Sequence, residues 1–186
     1  MLKTTRVCAF FALAVGLGAC ATAPKTSAQR EQLQTEADTA LRSMYQADPT
    51  LSDVVKSAYG YAIFPSVGKG GFIVGGGYGR GVVYKKGERI GYADVSSADV
   101  GALAGGQTIR ELLVFKDEQA FNDLVNSRFS LTAGASAVAL KPGAATQTQF
   151  ENGVAVFVQP TGGLMGSLAV GGQSFSFVPN SAVGTR

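Results

Sequence analysis

The stretch GKGGFIVGGGYGRGVV (residues 68–83) holds eight glycines and two basic side chains in sixteen residues, so it first suggests a phosphate-binding loop. A Walker A loop requires G-x-x-x-x-G-K-[ST], but Gly70 follows the G-K pair where a hydroxyl is needed, and Ile63 replaces the first glycine. The dinucleotide fingerprint G-x-G-x-x-G fails as well, because Ile73 and Arg80 occupy the positions of its third glycine. The spacing therefore does not predict a phosphate site.

A period of two fits the same stretch better. Odd positions from 71 to 83 are mostly glycine, whereas even positions from 72 to 84 are mostly large side chains. Since successive side chains of a strand point to opposite faces, the pattern predicts one strand, bent or bulged at the glycines, with a bare face that another element approaches closely. Ligand contact through the glycines is the less favoured alternative. The predicted structural glycines are Gly71, Gly75, Gly77, Gly79 and Gly81.

Residues 1–19 are predicted to be a lipoprotein signal peptide. Lys3 and Arg6 precede an uncharged run too short for an ordinary membrane-spanning helix. The run ends in LGAC at Cys20, which resembles the bacterial lipobox, where the cysteine is lipidated (diacylglyceryl and acyl chains such as palmitate) after cleavage. An ordinary secretory signal followed by a chance cysteine is the alternative. Several acyl chains, at about 0.8 kcal/mol per buried methylene, would anchor the chain firmly.

The lipidation prediction sets the expected location, the domain boundaries and the charge. No Asp follows Cys20, which favours the outer membrane, facing the periplasm, within the bacterial cell envelope. Residues 20–29 are predicted to be a lipidated tether, and residues 30–180 a single domain. The net charge of +3 falls to +1 without Lys3 and Arg6, so nucleic-acid binding loses its main support.

Two helices are predicted before the first strand. Residues 28–46 place apolar side chains on one helical face, and Ser52 is predicted to cap a shorter helix that ends at Gly60. The first helix is expected to pack on the domain. A membrane-surface helix is the alternative, disfavoured because its polar face is mixed in sign and its apolar face lacks Trp and Phe. The apolar face consists of Leu33, Ala37, Ala40, Leu41 and Met44.

Short apolar runs with turns every ten to fifteen residues predict antiparallel β structure for most of the remaining chain. One helix, capped by Asp117 and ending near Asn126, interrupts them, and residues 141–152 are predicted as a loop or an irregular strand. The predicted fold class is α+β: a Gly/Ala-rich curved sheet or barrel-like core, with N-terminal helices and one further short helix. The expected strands are residues 61–65 (closed by Pro65), 89–97, 108–115, 129–140, 153–160 and 162–178.

The composition argues against catalysis. The chain has no His, and the predicted processing leaves no free thiol, which excludes Ser-His-Asp and Cys-His sites and most zinc sites. Glu88, Asp94 and Asp99 are close in sequence, but no spacing forces a pair together, so they are interpreted as solvated loop acids. The chain is expected not to be an enzyme and to need no cofactor or metal. An envelope hydrolase is the least favoured alternative.

Five basic residues within 21 positions form the candidate lipid-headgroup site. Three of them lie at a predicted hairpin turn beside Tyr84 and Tyr92, where cations can contact anionic headgroups. A solvated turn, and a hydrogen bond from Lys69 to backbone carbonyls, are the alternatives. The candidate residues are Lys69, Arg80, Lys85, Lys86 and Arg89.

Three blocks of the sequence resemble the SYLF domain family. AYGYAIFPSVGKGGFIVGGGYGRGVV (58–83) resembles its A-x-G-x-A-I-F-P and G-G-x-x-G-x-G-V-V signature, with Gly77 where an Arg is common. LLVFKDEQAFNDLVNSRFSLTAGASAVA (112–139) and GGLMGSLAVGG (162–172) are similar to the two later blocks, although Thr132 and Ala133 replace the usual glycine-rich start. The resemblance covers roughly residues 52–178 and implies lipid binding.

The resemblance favours an anionic phospholipid membrane as the partner, with no nucleic acid. The alternative is a structural or protein-interaction module of the cell envelope that self-associates as a homo-oligomer or binds another envelope protein.

Overall fold

The computed structural model describes residues 24, 26–71, 74–100, 105–132, 137–163 and 172–183. The predictions about the signal peptide and Cys20, and most of the block at residues 162–172, lie outside the described residues.

Within the described residues, helices α1 (Ser27–Ala47) and α2 (Leu51–Ser57) precede the strands, and α3 (Glu118–Val125) follows the fourth strand. One eight-stranded sheet has the order β5-β8-β3-β2-β1-β4-β7-β6, and all neighbours are antiparallel except β6 and β7. The strands are β1 (Gly60–Gly71), β2 (Val74–Lys85), β3 (Glu88–Val100), β4 (Gly105–Phe115), β5 (Ser130–Leu131), β6 (Ala137–Ala139), β7 (Val154–Gly163) and β8 (Gly172–Pro179). The α+β prediction is confirmed.

The sheet is curled into a half-barrel. Gln173 on β8 donates a hydrogen bond of 3.0 Å to Glu111 on β4, although three strands lie between β8 and β4 in the sheet. In a flat sheet, four strand spacings would separate them by about 19 Å. Only strong curvature brings these side chains together across the concave face.

Each face of the sheet carries its own apolar cluster. On the concave face, Phe64, Phe115 and Phe175 pack with Phe121 of α3. On the convex face, α1 and α2 bury their apolar sides against the sheet. The prediction that the first helix packs on the domain is therefore confirmed, with Leu33, Ala37, Ala40 and Met44 buried and Leu41 partly buried.

The glycine-rich stretch forms two strands rather than the single strand predicted. Gly71 ends β1, residues 72–73 are not described, and β2 begins at Val74 and pairs back along β1. The alternation of faces in β2 nevertheless follows the period-two prediction. Val83 packs in the concave cluster, whereas Val82 and Tyr84 pack in the convex one.

Close packing accounts for two of these glycines. A Cβ on Gly79 would lie 2.8 Å from the Ser66 carbonyl oxygen, and a Cβ on Gly81 would lie 2.6 Å from the Phe64 ring. The pairing of β1 with β2 shifts register between Ile63 and Ser66, opposite Gly81, so the extra residue of the bulge belongs to β1.

Several predicted boundaries are wrong for local reasons. Pro65 does not close a strand: β1 continues to Gly71, and the register shift accommodates the missing N–H of proline. Thr50, not Ser52, precedes the first residue of α2, and α2 ends at Ser57. Residues 129–140 contribute two short strands at opposite edges of the sheet instead of one, and residues 145–147 form a turn of 3₁₀ helix.

The N-terminal boundary of α1 also differs from the sequence prediction. The helix begins at Ser27, inside the segment expected to be a tether. Thr26 and Gln29 form a reciprocal capping box, in which each side chain accepts a hydrogen bond from the other residue's backbone N–H. That local pattern starts the helix earlier than its apolar periodicity indicates.

Candidate functional site

A tight turn places two lysines at one end of the sheet. Lys86 and Gly87 both have positive φ, at 50° and 84°, and they join β2 to β3 in a two-residue loop of the kind that matches strand twist. The ammonium groups of Lys85 and Lys86 lie 5.0 and 5.5 Å from the centre of the Tyr59 ring. The turn thus presents two cations beside one aromatic ring.

A third lysine belongs to the same end. Tyr59 connects the turn to the end of β4: its carbonyl accepts from the Lys86 N–H at 3.1 Å, and its N–H donates to the Phe115 carbonyl at 2.9 Å. Lys116 follows directly and is exposed. We call Lys85, Lys86 and Lys116, arranged around Tyr59, the basic end. Sequence reasoning missed Lys116, although its position after an apolar strand predicts exposure.

The basic end is not uniformly positive. Glu88 lies opposite Lys85 in the hairpin, and the Glu118 carboxylate lies near the same lysine. A hydrogen bond to Tyr59 raises the pKa of Lys85, and the charge of Glu118 adds to this effect, so Lys85 remains a cation at neutral pH.

Two of the predicted basic residues lie elsewhere, on the convex face beside α1. Arg89 donates hydrogen bonds of 2.8 Å to the Gln34 side chain and to the Tyr92 hydroxyl. Its guanidinium thus links the sheet to α1. Arg80 is exposed and borders a small cleft with Gln32 and Glu36 of α1.

Lys69 lies in a third place, inside the curled sheet. Only 6% of the residue is exposed, so it is not part of the surface that Lys85 and Lys86 form. Its ammonium has no hydrogen-bond partner in the described part of the chain, so the predicted bond to backbone carbonyls is wrong. The structure therefore divides the five predicted residues among the basic end, the convex face and the interior.

Lys69 has two buried polar neighbours that sequence reasoning missed. Glu111 is fully buried and Gln173 is 1% exposed, and the two are joined by the hydrogen bond that spans the concave face. The sequence did indicate that these side chains face the core. Glu111 alternates in phase with the core residues Ile109 and Leu113, and Gln173 alternates in phase with Phe175. We call Lys69, Glu111 and Gln173 the polar cluster.

Strand register brings the cluster together. Lys69 pairs with Gln107 on one side and with Gly77 on the other; Gly77 pairs with Ser97, which pairs with Gln173. These five residues form one row across the concave face. A Cβ on Gly77 would lie 3.0 Å from Cγ of Lys69, so glycine at this position leaves room for the lysine stem.

The electrostatics of the cluster favour a neutral Glu111. Burial raises its pKa, whereas the hydrogen bond from Gln173 and the charge of Lys69 act in the opposite direction without cancelling the rise. Because the folded-state pKa lies above the unfolded one, this carboxyl lowers the stability of the fold as the pH rises beyond the ordinary range of glutamate, near pH 4.3. The polar cluster thus lowers the free energy of unfolding at neutral pH.

Comparison with known proteins gives one informative similarity. The chain is similar to beta cell expansion factor A of Aeromonas veronii. The two are 28% identical over 154 residues, which is 82% of this chain and 59% of that protein. No model of a protein family matches the chain.

Neither a membrane-spanning helix nor a metal site is found among the described residues. None of the described helices combines the length and the apolar character needed to cross a bilayer. No three His, Cys, Asp or Glu side chains there lie close enough together to hold a metal ion.

Proposed function

We propose that this chain is a non-catalytic protein of the bacterial cell envelope, held at the outer membrane through a lipidated Cys20, that binds anionic phospholipid surfaces through the basic end. The observation that carries the proposal is the pair of lysines beside the Tyr59 ring, half-buried Lys85 and exposed Lys86, with exposed Lys116 at the same end of the sheet. Lysines near an anionic surface gain favourable electrostatic energy, and an aromatic ring with a polar tip suits the membrane interface.

The sequence supports the lipid part of the proposal independently of the geometry. The three blocks that resemble SYLF domains are spread over roughly residues 52–178 and imply lipid binding, and we propose membership of that family on their order and spacing. The similarity to beta cell expansion factor A extends over the same region of the chain. The name of that protein describes a biological effect and no lipid contact.

Vesicle co-sedimentation tests the proposal. Residues 21–186, which lack the signal peptide and Cys20, are mixed at low salt with vesicles of phosphatidylcholine, with or without phosphatidylglycerol. We expect about tenfold stronger binding to the anionic vesicles, since several lysines contribute together. The difference should shrink at about 0.5 M salt, where charges are screened over only a few ångströms.

Equal binding to both vesicle types at low salt would contradict the proposal. If, in addition, light scattering showed a stable oligomer without any response to lipid, the self-associating envelope module would be the better interpretation.

A further inference from the structure

The polar cluster holds three buried polar atoms without partners in the described part of the chain. They are Nζ of Lys69, Oε1 of Glu111 and Oε1 of Gln173. A buried polar atom that lacks a hydrogen bond costs about 1–3 kcal/mol, and more if it is charged, so folded proteins keep few of them.

Lys69 and Gln173 lie near one end of the curled sheet, whereas Glu111 lies in the middle of β4 and meets Gln173 across the concave face. Lys69 is two residues from Gly71, where β1 ends, and Gln173 is one residue from Gly172, where β8 begins. The next residues inward on the same face, Val67 and Phe175, belong to the apolar core. A ligand group would therefore reach Lys69 and Gln173 from the strand ends without crossing that core.

We propose that Lys69, Glu111 and Gln173 form an internal binding site for an oxyanion, such as a carboxylate or a phosphate ester. The Lys69 ammonium supplies positive charge and up to three donors. A protonated Glu111 donates from Oε1, while its Oε2 keeps the bond from Gln173. Oε1 of Gln173 accepts from a hydroxyl of the ligand or from an accompanying water.

The charge balance favours an anion over other ligands. The Lys69 ammonium is the positive charge of the cluster, and the raised pKa of Glu111 shifts the carboxyl towards its neutral form. An oxyanion neutralises that charge, whereas a cation would add to it. The site is separate from the basic end, and the inference does not depend on the surface contact proposed above.

Two sources could supply this chemistry: a free anion, or the head of a lipid-derived amphiphile. A titration distinguishes these two sources. The full chain is purified in a nonionic detergent and titrated separately with inorganic phosphate, octanoate and octyl phosphate. We expect the thermal unfolding midpoint to rise by about 4 °C or more at saturation with at least one of these probes. A rise with the two octyl-chain probes alone identifies an amphiphile head, and a rise with phosphate as well identifies the oxyanion itself.

Matched variants assign the effect to the cluster. Lys69→Met keeps the apolar stem and removes the charge, and it should weaken the titrated affinity by about tenfold or more, the loss expected from a charge-assisted hydrogen bond. Lys116→Met removes an exposed cation at the basic end and should leave the midpoint shift unchanged. Gln173→Leu provides a second test that does not alter charge. It should weaken the binding of every probe that raises the midpoint of the wild type, so the inference can still be tested if Lys69→Met fails to fold.

Two results would overturn the inference. The first is the absence of a midpoint shift with all three probes, which would mean that buried waters alone satisfy the polar atoms. The second is a shift that Lys69→Met and Gln173→Leu both retain. If Lys116→Met lost vesicle binding but kept the midpoint shift, that result would concern only the proposed membrane contact of the basic end.

Discussion

Replacement of Gly81 by valine is expected to destabilise the protein by about 3 kcal/mol or more, the upper range for overpacked cores. A Cβ at this position would lie 2.6 Å from Cδ1 of Phe64 and 2.7 Å from the Ile63 carbonyl oxygen. The ring is fully buried and the carbonyl belongs to β1, so neither can move away without disturbing the sheet. Chemical denaturation, followed by tyrosine fluorescence, measures the change.

Gly68→Val is the matched control from the same glycine-rich stretch. No atom lies within 4 Å of the position that its Cβ would occupy, and valine is favoured in strands. The free energy of unfolding of this variant should remain within about 0.5 kcal/mol of the wild type. Similar losses in both variants would mean that the glycines do not serve close packing.

Asp48→Ala is expected to cost about 2–4 kcal/mol of stability, because several donors would lose their acceptor at once. Asp48 is fully buried between α1 and α2. Its carboxylate accepts hydrogen bonds from the backbone N–H groups of Gly143 (3.1 Å) and Ala145 (2.7 Å), and from both the N–H (3.1 Å) and the hydroxyl (2.7 Å) of Thr50. One side chain thus connects the helices to a loop 95 residues away.

Asp53→Ala controls for the loss of a carboxylate on the neighbouring helix. Asp53 is exposed and pairs only loosely with Lys56, at 3.7 Å, so its removal should change stability by no more than about 0.5 kcal/mol. Equal effects of Asp48→Ala and Asp53→Ala in chemical denaturation would contradict the connecting role of Asp48.

The same residue predicts a pH dependence. Burial acts to raise the pKa of Asp48, but the hydrogen bonds from Thr50, Ala145 and Gly143 outweigh it, and the pKa is lowered. A carboxyl with a lowered folded-state pKa stabilises the fold above its unfolded pKa, near 3.9, and loses that contribution as the pH falls through the folded value. The difference in stability between wild type and Asp48→Ala should therefore shrink below about pH 4.

The sequence predicted those parts of the fold that depend on local periodicity. Leu33, Ala37, Ala40 and Met44 recur at helical spacing and do face the sheet. Asp117 caps α3 as expected, since its side chain accepts from the Ala120 N–H at 3.0 Å. The α+β class follows from such patterns, because the period of apolar residues depends mainly on the secondary structure that buries them.

Features that depend on strand pairing were not predictable in the same way. The hairpin within residues 68–83 is hidden because both of its strands contain glycines, so glycine does not mark where one strand ends and the next begins. Arg89 is close to the lysines in sequence, but it pairs with Tyr84 of the convex cluster, and its guanidinium bonds to Gln34 of α1. Whether Lys69 faces solvent or the interior depends on its partners Gly77 and Gln107, which only the three-dimensional register reveals.

The most direct test of the proposed function compares two double variants of residues 21–186 with the same change in net charge. Lys85→Gln/Lys86→Gln removes cations from the basic end, and Arg128→Gln/Lys141→Gln removes exposed cations elsewhere. Co-sedimentation with phosphatidylglycerol vesicles at low salt measures both against the wild type. The proposal predicts that the first variant loses most of its binding, by about tenfold, while the second stays close to wild type. Equal binding by the two variants would contradict it, because it would show that membrane contact does not involve the basic end.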